Sequence, residues 1–153
     1  AVRFIKGDRY RSRLISKIMF GTYNKRIKNV RTVNDWLTRD EAVVDEYNAG
    51  KLTTFLFTVN GYRGLMNMIL YVRKPRNIER IPKNLPMFMI SGLDDPVGEY
   101  GKGVYRAYNS YHGHIDDIDL RLYEDCRHEL CNELNKEEIY EEIYGWIMNH
   151  MSK

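Results

Sequence analysis

The stretch Pro86-Met-Phe-Met-Ile-Ser-Gly-Leu-Asp-Asp-Pro-Val, residues 86–97, limits the fold more than any other part of the chain. Four apolar residues without alternation, Met87 to Ile90, follow a proline and stop at a glycine and a turn rich in Asp, Pro and Gly. Such a run reads as a strand buried on both faces, as in a parallel sheet covered by helices. Tyr100, Val104, Ala107, Tyr108 and Tyr111 then recur at helical spacing, and Gly113 caps that helix. Ile118, Leu120 and Leu122 alternate with Asp119, Arg121 and Tyr123, which predicts a second strand. Asn135 with Glu138 opens a last helix whose buried face is Ile139, Ile143, Trp146 and Ile147. Strand, helix, strand, helix is half of an α/β sheet protein. Two strands do not complete such a sheet, because both flanks of a buried strand need backbone partners. The carboxyl half therefore reads as the edge of a larger sheet whose remainder lies elsewhere.

Residues 1–80 offer mostly helical and irregular material. Leu14, Ile18 and Phe20 suggest a short amphipathic helix, broken at Gly21-Thr22-Tyr23-Asn24. Thr38-x-x-Glu41 reads as a capping box, opening a helix that runs to about Asn48 with Gly50 as its stop. Residues 52–62 read either as a β-type run or as a loop over apolar surface. A helix from about Tyr62 to Val72 would carry Leu65, Met66, Ile69 and Leu70 on one side and end at Pro75. With 153 residues, 43% hydrophobic and 29% charged, the chain has the composition of one ordinary globular domain. No apolar run approaches bilayer length and no signal-peptide stretch opens the chain, so a cytoplasmic location is expected. The first residue is alanine rather than methionine, as at a cut or processed boundary. Cys126 and Cys131 are expected as free thiols.

Charge is unevenly placed. Residues 1–31 hold ten Lys or Arg and one acid, Asp8, for a net +9, while the rest of the chain carries −6. No nucleic-acid motif or aromatic platform accompanies this arm, so nucleic acid is not the expected partner. It reads as a solvated basic face, with transient contact at an anionic membrane surface as its further role.

Ligands and catalytic groups of open α/β sheets gather beyond the carboxyl ends of the strands. Asp94 and Asp95 lie just past the first strand, and His128 lies in the loop after the second. Adjacent parallel strands would bring these loops to one rim, where a carboxylate can accept from the Nδ1–H of His128 and leave Nε2 free to take a proton. Spacing alone leaves open a turn that only ends a strand and a histidine that only faces water. His112 and His114, with Asp116 and Asp117, make a weak metal set, because two histidines at i, i+2 converge poorly on one ion. Cys126, two residues before His128, is badly placed for a nucleophile. Glu137, Glu138, Glu141 and Glu142 read as the solvated first turns of the last helix. Met66, Met68 and Phe55 read either as lining for an acyl pocket or as ordinary packing.

"PMFMISGLDDPVGEYGKGV" followed by "LYEDCRHELCNELNKEEIYEEIYGWI" resembles the carboxyl-terminal part of α/β-hydrolases of the lysophospholipase and monoacylglycerol lipase type, related to the serine aminopeptidases. The Gly-x-x-Asp-Pro-Val turn, Gly92 to Val97, implies Asp95 as the triad acid. Arg127-His128-Glu129, continued by Asn132 and Glu133, implies His128 as the triad base. "FGTYNKRIKNVRTVNDWLTRDEAVVDEY" resembles the helical cap of the family, so the likeness implies a cap over residues 1–80 and a core over 81–153. Its nucleophile would sit in Gly-x-Ser-x-Gly. Ser12, Ser16, Ser91, Ser110 and Ser152 all lack that setting. The likeness thus implies a serine ester hydrolase, acting on lysophospholipid or monoacylglycerol esters without metal or cofactor, whose serine and oxyanion hole lie in a missing amino-terminal half. The chain alone is expected to be inactive. A non-catalytic remnant, or an interaction module that keeps the fold, is the alternative.

Overall fold

The structure, a computed structural model, describes residues 2–151. Helix α1 (Val2–Lys6) and α2 (Arg13–Phe20) lead through a 3₁₀ turn at Tyr23–Arg26 to α3 (Glu41–Ala49), α4 (Val59–Val72) and the short α5 (Pro75–Ile78). Then come β1 (Met87–Gly92), α6 (Lys102–His112), β2 (Ile118–Tyr123), a 3₁₀ turn at Leu130–Asn132 and α7 (Lys136–Met151). The strands pair in parallel with Met87 opposite Ile118 and Gly92 opposite Tyr123. Among the described residues they form the whole sheet, so one flank of β1 is bare.

The core beside the sheet consists of Tyr123, Cys126, Leu130 and Ile139, with Ile90 and Ile143 packed against it. Ile139 and Cys126 are fully buried, which fastens the start of α7 to the loop that follows β2. Expectation and structure part on β1: Met87 to Ile90 are only half-buried, and complete burial begins at Ser91. A strand with neighbours on one flank lacks the cover that its apolar sequence anticipates.

Other expectations shift for local reasons. Thr38 and Glu41 form no capping box. Asp40 caps α3, accepting from the amides of Ala42 and Val43, while the Thr38 hydroxyl donates to the Asn132 carbonyl at 2.8 Å. The ambiguous stretch is a loop, tied by an isolated antiparallel bridge between Arg11 and Thr58, and Thr58 caps α4 three residues earlier than expected. Helix α4 stops at Val72 as expected, with Lys74 extended before Pro75, and the same proline opens α5, where its missing N–H costs nothing. Helix α6 starts at Lys102 because Glu99, Tyr100 and Gly101 all have positive φ. The apolar side of α4 is largely uncovered, with Met66, Ile69 and Leu70 exposed, as are Leu14 and Ile18 on α2. On α7, Ile147 faces outward rather than into the core. Glu142 is not simply solvated, since it accepts from the Tyr123 hydroxyl at 2.8 Å and pairs with Arg121. Burial, and then that hydrogen bond to Glu142, push the Tyr123 phenol far above its ordinary range.

Candidate active site

The site lies beyond the carboxyl ends of both strands. After β1 the chain turns sharply, and Asp95 folds its carboxylate back onto that turn: Oδ1 accepts from the Val97 amide at 2.7 Å. Its carbonyl accepts from the Tyr100 amide at 2.8 Å, which closes the loop before α6. The side chain is buried, and Oδ2 lies 3.1 Å from Nδ1 of His128. A carboxylate only accepts, so Nδ1 carries the proton in this contact. Asp94 is not part of the pair. Its amide donates to the Cys126 carbonyl at 2.9 Å, while the Leu93 amide donates to Tyr123, so the two loops are pinned together by backbone.

Gly92 makes that close approach sterically open. A Cβ there would stand within 3.0 Å of the carbonyl oxygens of both Cys126 and Arg127. The loop after β2 crosses directly over the end of β1, which delivers His128 to Asp95.

His128 is held from its other side by residues 35–39. Its amide faces the Trp36 carbonyl at 3.5 Å, and the Glu129 amide donates to the Leu37 carbonyl at 2.7 Å. Arg127 reaches the carbonyls of Asp35 and Thr38. The indole of Trp36 packs 5.2 Å from the imidazole, ring centre to ring centre. The hydrogen bond to Asp95 raises the pKa of His128; partial burial opposes this, and the charges of Asp95 and Glu129 add to it. Nε2 has no hydrogen-bond partner among the described residues. With Nδ1–H held by a carboxylate and Nε2 free, the imidazole has its tautomer fixed by Asp95 and a lone pair able to accept a proton.

Trp36 also belongs to an aromatic group with Phe20, Tyr23 and Tyr62. Burial, with Asp95 adding its charge, raises the Tyr23 pKa. The Arg26 guanidinium lies 3.6 Å over the Tyr100 ring, which joins the basic arm to the acid-bearing turn. A cavity of about 830 Å³ opens among Phe20, Trp36, Tyr47, Phe55, Phe57 and Tyr62. Phe55 lines it as sequence reading allowed, whereas Met66 and Met68 do not. Trp36, Tyr23 and the partners of Arg127 escaped sequence reasoning, because no spacing signals contacts made by residues some ninety positions apart.

The remaining candidates separate. His112 lies against the Tyr108 ring at a tilt, while His114 Nε2 contacts the Ile81 carbonyl at 2.7 Å, so the pair does not converge. Among the described residues, the group with metal-compatible spacing is instead Asp117, Asp119 and His150. There both imidazole nitrogens already face protein oxygens, the Trp146 carbonyl and the Asp117 carboxylate. Cys126 is fully buried, its thiol pushed up by burial, and Cys131 is exposed; both are free.

The fold and the site's placement define an α/β-hydrolase carboxyl-terminal half. Residues 4–135 match the family described as serine aminopeptidase, S33, and the chain belongs to that family. No curated protein matches it. Among solved structures it is similar to a thermostable carboxyl esterase from Bacillus coagulans in complex with glycerol, with TM-score 0.82 and 22% identity over 99% of this chain and 48% of that one. It is also similar to a lipase in open form, with TM-score 0.80 and 20% identity over 92% of this chain and 46% of that one. A soluble variant of monoglyceride lipase from Saccharomyces cerevisiae, in complex with a substrate analog, gives TM-score 0.62 and 15% identity over 97% and 48%. The chain thus spans just under half the length of these structures. Among the described residues no helix is long and apolar enough to cross a membrane.

Proposed function

We propose that this chain is the cap and acid–base half of a serine ester hydrolase, with residues 1–80 as cap and 81–153 as the carboxyl-terminal part of the core. One observation carries the reading: the 3.1 Å contact between His128 Nδ1 and Asp95 Oδ2 at the ends of adjacent parallel strands. In the assembled enzyme a serine from the amino-terminal half attacks the ester carbonyl. His128 Nε2 takes the hydroxyl proton and passes it to the leaving alcohol, giving an acyl-serine. Water, deprotonated by the same imidazole, then releases the carboxylic acid and regenerates the serine. Asp95 holds the tautomer and stabilises the imidazolium.

The aromatic cavity, reached from His128 through Trp36, suits the apolar acyl chain of a lysophospholipid or monoacylglycerol ester. The similarity to structures named as esterase and monoglyceride lipase supports the same class. Two free thiols accord with work in the cytoplasm. The scheme needs a nucleophile that no Gly-x-Ser-x-Gly in this sequence supplies. The purified chain should therefore leave p-nitrophenyl esters unhydrolysed and resist labelling by a fluorophosphonate. Turnover at the rate of a whole enzyme would show that a nucleophile within these 153 residues had been overlooked.

A further inference from the structure

Glu133 takes no part in the proposed proton transfers, yet it is fully buried and collects four N–H donors. Its Oε1 accepts from the amides of Arg127 at 2.8 Å and Arg39 at 3.3 Å. Its Oε2 accepts from Arg39 Nε at 2.8 Å and from the Leu134 amide at 3.3 Å. A second arm of the guanidinium, Arg39 Nη2, donates to Asn135 at 2.7 Å. A buried carboxylate persists only when paired and fully hydrogen-bonded, so this hub specifies one arrangement of its partners. Those partners flank His128. Arg127, immediately before it, is held by Glu133; Glu129, immediately after it, is held by the Leu37 carbonyl, two residues from Arg39.

We infer that Glu133 is a positioning residue for His128: it fixes the backbone at Arg127 and, through Arg39, makes the seating of residues 35–39 a condition for the His128–Asp95 contact. Its catalytic meaning rests on the acid–base reading above, but the coupling itself is measurable in the chain as it stands. Seating of the cap segment would then be felt at the imidazole without any direct contact between Glu133 and the ring. Glutamine has the right size but the wrong chemistry here, because its NH₂ would confront N–H donors where Oε1 or Oε2 now accepts.

The test is an NMR pH titration of the four histidines in the 153-residue chain, together with the His128 Nδ1–H resonance. Asp95 and Glu129 are the carboxylates whose charges act on this ring. In Asp95→Asn the His128 pKa should fall toward the ordinary imidazole value of about 6.5. In Glu133→Gln it should fall by a comparable amount, with loss of the Nδ1–H signal. Arg39→Lys keeps the net charge and removes the forked contact. It should move His128 in the same direction, which separates positioning from simple loss of a negative charge, and it serves alone if Glu133→Gln does not fold. A folded Glu133→Gln or Arg39→Lys chain whose His128 titrates as in the unaltered chain would overturn the inference. If Asp95→Asn also leaves His128 unmoved, the acid–base reading fails instead.

Discussion

At Gly92 the end of β1 passes beneath the carbonyl oxygens of Cys126 and Arg127 with no room for a side chain. The obstacle is backbone on both counts, so Gly92→Ala can be accommodated only by moving the loop that carries His128. Overpacking of this kind costs about 1–3 kcal/mol. Urea denaturation should show the midpoint falling accordingly; an unchanged midpoint would mean that the loop yields freely and that Gly92 is not what sets its path. The acid turn and the histidine were legible as residues because each sits in a short motif just past a strand. Glu133 stood in one of those motifs too, but its partner Arg39 lies 94 positions away, and nothing local announces such a pair. Thr38 misled for the same reason: Thr-x-x-Glu promises a local cap, whereas the hydroxyl is claimed by Asn132 across the fold.

Among the elements, β2 occupies the residues that its alternation marks, Ile118–Tyr123, because alternate apolar positions pack on one face whatever lies beyond the sheet. Element β1 was legible in place but not in burial, since among the described residues it pairs on one flank only. Helix α4 begins where Thr58 caps it, a signal hidden inside the apolar stretch 52–62. On helix α7, Ile139 is fully buried against Tyr123, Cys126 and Leu130, whereas Ile147 and Met148 are exposed. Ile139→Ala should therefore destabilise the chain by about 2–5 kcal/mol, the range for emptying a closed core site. Ile147→Ala should lie near zero by comparison. Equal losses in thermal or urea unfolding would contradict the difference in burial between these two positions.

Taken whole, the described residues hold a two-stranded sheet with a bare flank, an uncovered apolar side on α4 and a carboxylate–imidazole pair beyond the strand ends. The chain's length is just under half that of the esterase and lipase structures it resembles. On the proposed reading, another half of the core supplies the further strands and the serine. The most direct measurement is esterase turnover after joining this chain behind an amino-terminal half that carries Gly-x-Ser-x-Gly. The joined protein should hydrolyse p-nitrophenyl esters and react with a fluorophosphonate, and Asp95→Asn should lower kcat by about 10⁴-fold. Turnover indifferent to Asp95→Asn and His128→Ala would contradict the assignment of these two residues as the acid and base of the enzyme.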